Sequence, residues 1–216
     1  MITSLSIEQL ENYLSLLIRN HIPDGWTSYS YQSLLSDAME RLEYCFSHIY
    51  RKYYRNQGKV VFNHLNTDHM ASLLYLLGNT VWQVTGDEEL PTRLFYLNKI
   101  LHGVDLYFSV SMPKIFMLVH PVGTVIGQAT YSDYLVIYQN VTIGSNNGVY
   151  PTLGKEVILY SKSSLLGNCN VGDNVVFGAN SFIINTDIPH DTIVVGQYPS
   201  HKFKPNLVSV RERVWS

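Results

Sequence analysis

From Leu153 the chain can be read in sixes: LGKEVI, LYSKSS, LLGNCN, VGDNVV, FGANSF, IINTDI, PHDTIV, VGQYPS. The first position carries Leu153, Leu159, Leu165, Val171, Phe177, Ile183, Pro189 and Val195, apolar throughout and bulky in seven of eight cases. The fifth position carries Val157, Ser163, Cys169, Val175, Ser181, Asp187, Ile193 and Pro199, mostly small or β-branched residues. Glycine recurs at the second position, at Gly154, Gly172, Gly178 and Gly196. Helical spacing does not produce this pattern. A sustained six-residue repeat with an aliphatic first position specifies a parallel β-helix, in which each six supplies a short strand and a corner. Three sixes make one coil, so Leu153 is expected over Val171, and Leu159 over Phe177 and Val195. Upstream, Ile137 and Ile143 keep the phase, whereas ATYSDYLV between Gly127 and Ile137 is one residue out of step.

Residues 1–103 repeat at helical spacing instead. Ser6 with Gln9 forms a capping box for a helix ended by Pro23, with Ile7, Leu10, Leu14, Leu17 and Ile18 on one face. Leu35, Met39, Leu42, Phe46 and Ile49 mark a second helix. A third begins near Thr67 or Asp68, and a fourth runs through RLFYLNKIL to a stop at Gly103. The chain therefore divides into a helical domain over 1–103, a β-helix over 104–200 and a tail over 201–216 that braces a face. A solenoid touches only its neighbouring coils and needs capped ends, a role for the helical half.

Composition narrows the function. Hydrophobic residues make up 46% of the 216 and charged residues 15%, a globular balance. A net charge of -2 offers no basic surface for nucleic acid or an acidic bilayer. Cys45 and Cys169 lie far apart, which fits a reducing compartment better than a disulfide framework. The start lacks a basic segment followed by an apolar one, and no apolar run approaches the ~20 residues of a membrane span. A cytoplasmic location without membrane insertion is expected.

Chemistry belongs where the repeat is interrupted. The largest interruption is SNNGVYPT at 145–152, and a second is LVHPVGTVIG, where His120 precedes a glycine turn. Histidine is the side chain suited to act as a base near neutral pH. A lone histidine beside an apolar run has a structural reading too, and spacing alone leaves both open. His64 and His69 do not share a helical face, and no metal site is expected. His190 falls in a surface turn, and His102 at a helix end that favours a cation.

GVDLYF, LVHPVGTVIG, IYQNVTIG, LLGNCNVGDNVVFGANS and DIPHDTIVVGQYP resemble, in that order, segments of the serine O-acetyltransferases. The likeness covers residues 100–200, and the helical half is similar only in layout. It implies an α+β chain, all-α and then a left-handed parallel β-helix, with acetyl-CoA as co-substrate. It further implies homotrimers with active sites between prisms, the pairing of trimers being left open. By this resemblance His120 is the general base, and Asp105 the carboxylate that orients it. Ser161 and Ala179 line the cofactor groove, where small side chains admit the pantetheine arm, although both also suit a tight corner. Lys202 and Lys204 can meet the cofactor's phosphates or simply be solvated.

Two departures concern the acceptor. The family places an aspartate before the histidine and an Arg-His pair before the proline that resumes the sixes. Here Val119 and Val149-Tyr150 stand in those places. Free serine thereby loses its ammonium counter-charge and its carboxylate clamp. Tyr150, Gln139 and Asn146 would instead form a neutral acceptor pocket suited to a sugar of a surface polysaccharide, with loop packing an equal reading of Tyr150. Serine and an amino-sugar nitrogen remain as alternative acceptors, and a non-catalytic assembly platform as an alternative function.

Overall fold

The computed structural model describes residues 1–215. The chain forms two units, Met1–Gly103 with Tyr107–Ser109, and Val104–Leu106 with the residues from Val110 onward.

The helical unit opens with β1 (Ile2–Thr3), α1 (Ile7–His21) and α2 (Gln32–Phe46). β2 (Arg55–Asn56), β3 (Lys59–Phe62), α3 (Thr67–Thr85) and α4 (Glu89–His102) complete it. The capping box at Ser6 and Gln9 forms, with both reciprocal bonds present. α3 is capped by Asn66, one residue ahead of the expected start, its side chain accepting from the amides of Asp68 and His69. α4 ends at Gly103, which adopts φ 66°. α3 is buried on every face from His69 to Val81 and forms the middle of this unit. A small sheet in the order β1–β3–β2, absent from the helical pattern, joins it.

The second unit is a parallel β-helix. It comprises β4 (Val104–Leu106), β5 (Phe116–Val119), β6 (Thr124–Ile126), β7 (Leu135–Tyr138), β8 (Thr142–Gly144) and β9 (Thr152–Leu153). β10 (Val157–Leu159), β11 (Ser164–Leu166), β12 (Asn170–Val171), β13 (Val175–Phe177), β14 (Phe182–Ile184) and β15 (Thr192–Val195) follow. One face stacks β5, β7, β10, β13 and β15, the next β4, β6, β8, β11 and β14, and the third β9 and β12. Leu153 pairs with Val171 and Leu159 with Phe177, eighteen residues apart as the sixes require. These side chains, with Leu165 and Ile183, are at most 5% exposed and fill the prism. Burying each such side chain contributes about 1.5–3 kcal/mol.

The period is not uniform. Leu118 pairs with Ile137 nineteen residues on, which is the misfit seen in ATYSDYLV. Ile137 and Leu159 are twenty-two apart. The excess lies between β8 and β9, where seven residues replace the three between β11 and β12. Phe177 pairs with Val194 and not with Val195, because the last coil is one residue short. Ile188 and Val194 consequently fill the interior, and Pro189 lies exposed. Backbone stacking sets this phase, and the deletion moves every later residue one step around the prism.

The tail turns back. β16 (Lys202–Pro205) pairs antiparallel with β15. The chain then descends one corner of the prism along Asp191, Asn174, Glu156 and Tyr134, residues that all carry positive φ. Asn206 donates its amide to Asp191 O at 2.7 Å and its Nδ2 to Asn174 O at 3.1 Å. Arg211 pairs with Glu156 at 2.9 Å and lies over the Tyr134 ring, against which Trp215 packs edge-on. The expected brace of a face is thus a brace along a corner.

Candidate active site

The corner that joins the β5 face to the β4 face carries four of the residues singled out in the sequence. Val119 and Tyr138 are paired, so His120 and Gln139, the next residues, follow one above the other. Two backbone bonds continue the column. Lys162 donates its amide to Gln139 O at 3.1 Å, and Asn180 donates to Ser161 O at 3.0 Å. His120, Gln139, Ser161 and Ala179 therefore occupy the same corner on successive coils. The Tyr138 and Tyr160 rings, with centroids 4.9 Å apart, flank it.

Local sequence holds His120 outward. It has φ 47° and is exposed, and its carbonyl accepts from Val122 N at 2.7 Å. Pro121 and Gly123 then close a turn, with Thr124 N donating to Pro121 O at 3.2 Å. Gly123 adopts φ 74°, and a Cβ there would lie 2.4 Å from Asn140 Oδ1, so glycine is required. Asp105 occupies the middle of β4, half-buried, between the inward side chains of Val104 and Leu106. β4 pairs with β6, the strand into which the His120 turn leads, with Asp105 opposite Val125. Asp105 thus stands one coil from β6, opposite a residue five positions after His120.

Asn146 and Tyr150 lie elsewhere. They belong to the excess residues between β8 and β9, at the corner joining the second face to the third. Asn146 and Val149 exchange backbone bonds of 3.0 and 3.1 Å around Asn147 and Gly148, both with positive φ. This is the Asn-Gly geometry of a tight hairpin. Val149 and Tyr150 are 47% and 46% exposed. Within one chain, then, the expected pocket of Tyr150, Gln139 and Asn146 does not assemble. Only Gln139 shares the corner of His120.

The remaining histidines have settled surroundings. His69 is fully buried among Phe46, Tyr54 and Phe62, its Nδ1 accepting from Asn63 N at 3.2 Å. His102 departs from expectation. It is 8% exposed and bonded through Nδ1 to Asn98 Oδ1 at 2.8 Å, and burial pulls its pKa from 6.5 to about 4. Desolvation outweighs the favourable helix end. His190 is exposed in the turn after Pro189, as expected. Among the described residues no group of three or more His, Cys, Asp or Glu could hold a metal ion, and no helix is long and apolar enough to cross a membrane. The sequence did not disclose the unpartnered Gln139 oxygen or the continuous column. The shared third place of His120, Gln139, Ser161 and Ala179, counted from an inward apolar residue (Leu118, Ile137, Leu159 and Phe177), is the signal for the column.

Helices followed by a parallel β-helix of six-residue repeats, with a histidine presented at a corner, define a hexapeptide-repeat fold. Proteins similar to this chain in sequence include serine acetyltransferases. That of Synechococcus elongatus is 35% identical over 112 residues, covering 50% of this chain and 46% of that protein. That of Staphylococcus epidermidis is 33% identical over 113 residues, covering 50% and 52%. The chain spans about half the length of the curated relatives it matches. No family model matches it. Solved structures agree on the fold. Serine acetyltransferase from Vibrio cholerae superposes with a TM-score of 0.71 at 18% identity, over 96% of this chain and 84% of that one. Soybean serine acetyltransferase complexed with serine gives 0.66 at 22%, over 93% and 86%. A serine acetyltransferase in complex with CoA gives 0.67 at 17%, over 91% and 85%.

Proposed function

We propose that this chain is an acetyl-CoA-dependent O-acetyltransferase with His120 as general base. The observation that carries the reading is the corner column, an exposed histidine in line with Ser161 and Ala179, whose turn leads into the strand that pairs with β4. From His120 to Ala179 is three rungs at about 4.8 Å each, a shelf long enough to seat an extended pantetheine arm. Small side chains there let the arm approach the backbone. His120 takes the acceptor's hydroxyl proton as the oxygen attacks the thioester carbonyl. The new ester forms as the carbon–sulfur bond breaks, and CoA leaves as the thiol. Asp105 orients the imidazole and stabilises its charged form.

Serine is the acceptor that the names of the relatives support. A second reading, a sugar hydroxyl, is supported by Val119, Val149 and Tyr150, which supply neither a carboxylate for an ammonium group nor a cation for a carboxylate. In both readings Asn146 and Tyr150 reach the His120 column of a neighbouring copy, so the assembly proposed is a homotrimer. The test is release of CoA thiol by the purified chain with L-serine, nucleotide sugars and oligosaccharides. Turnover of serine at ~10 per second identifies serine as the acceptor. Turnover confined to a saccharide identifies the second reading. An unchanged rate in His120→Ala rejects His120 as the base.

A further inference from the structure

The net charge of -2, which speaks against an acidic bilayer as partner, averages away one uneven stretch. Between Glu43 and Asp68 the chain has no acidic residue, while Arg51, Lys52, Arg55 and Lys59 fall within nine positions. The stretch runs from the end of α2 through the β2–β3 hairpin, inside the helical unit. Hydrogen bonds gather it into one patch. Arg55 donates Nε to Ile49 O at 3.1 Å, Nη1 to Gly58 O at 3.3 Å and Nη2 to Ser47 O. Its guanidinium thus ties the segment after α2 to the hairpin tip, and all three acceptors are neutral carbonyls. Among the described residues no carboxylate meets Lys52, Arg55 or Lys59. Lys52 and Lys59 are exposed. Two rings belong to the same patch. Arg55 lies over the Tyr50 ring, 4.7 Å from its centroid, and Lys52 Nζ lies over the Tyr53 ring at 4.7 Å. Tyr50 and Tyr53 are 67% and 64% exposed, so most of each ring faces solvent.

We infer that this patch adsorbs the chain to the surface of an anionic bilayer, its cations at the headgroup phosphates and its two tyrosine rings in the interface. Each basic residue near such a surface strengthens binding about fivefold. Tyrosine suits the interface because its body is apolar and its tip polar. Adsorption of this kind needs no membrane-spanning segment. Nucleic acid fits less well, since single-strand sites track the backbone over several nucleotides and stack bases on open ring faces. Here the cations crowd one hairpin, and one face of each ring is already taken by a cation. The patch lies in the helical unit alone, so its role is independent of the acyl-transfer reading.

The experiment is co-sedimentation of the full chain with vesicles of phosphatidylcholine, alone or mixed with phosphatidylglycerol. Thermal melting confirms that each variant folds. At low salt the wild type should bind the anionic vesicles about tenfold more tightly than the neutral ones, and added salt should erase the difference. Lys52→Gln with Lys59→Gln should weaken anionic-vesicle binding about thirtyfold, the worth of two basic residues. Lys114→Gln with Lys155→Gln changes the net charge equally, but both residues are exposed in the β-helix unit, and binding should stay within about twofold. Tyr50→Ser with Tyr53→Ser keeps the charge and should weaken binding about tenfold. Failure to bind either vesicle, equal binding of both, equal loss in the two lysine pairs, or unchanged binding by the tyrosine variant overturns the inference. Tighter binding of a labelled single-stranded oligonucleotide than of anionic vesicles also overturns it, and makes nucleic acid the partner.

Discussion

Buried and exposed histidines both occur in this chain, and the environment sets what each imidazole can do. His69, enclosed by aromatic rings, has its pKa drawn from 6.5 down to about 4 by burial, and His102 behaves alike. Between those values an unfolded chain binds protons that the folded helical unit does not. Stability of that unit is therefore expected to fall as pH drops from 6.5 toward 4, and to be steady above 6.5. Urea unfolding followed by far-UV circular dichroism across this interval checks it, and His69→Leu should flatten the slope. His120 is exposed at a corner. For its neighbour Asp105, Asp105→Asn should lower kcat about 10²–10⁴-fold, the usual worth of acid–base assistance, with KM for acetyl-CoA little changed. Steady-state kinetics on the folded variant decide this.

At the level of elements, caps and repeats were plain in the sequence because they are local. Ser6 with Gln9 marks a helix start, Gly103 a helix end, and each six from Leu153 to Ile183 a strand with its inward residue. What the repeat could not disclose depends on coils meeting in space. A one-residue deficit after Phe177 has no local signature, since Ile188, Pro189, Val194 and Val195 are all plausible inward residues by type. The 145–152 interruption is visible in the sequence, but the corner that carries it is not, since that depends on how the coils stack. Coil stacking also ranks the glycines. A Cβ on Gly172 would meet His190 N at 2.5 Å, whereas one on Gly148 meets nothing within 4 Å and suffers only from its φ of 78°. Gly148→Ala should cost about 1–2 kcal/mol. Gly172→Ala must push one coil off the next, and its melting temperature should fall further. Paired thermal melts test the order.

For the molecule as a whole, the tail is the least repetitive part and the most widely bonded. Three of its apolar side chains, Val210, Val214 and Trp215, are at most 3% exposed, as is Asn206, whereas Phe203, Leu207 and Val208 are exposed. Removing residues 206–216 should lower the unfolding temperature of the β-helix unit and admit protease at its last coil, with limited proteolysis and mass spectrometry as the check. A stack whose members touch only adjacent members loses its outermost rung first and opens by degrees. Here the returning segment grips Asp191, Asn174, Glu156 and Tyr134, one on each of four successive rungs. None of those rungs can peel away without loosening a strip shared with the rest, so these four should open in one step, like slats lashed to a common cord.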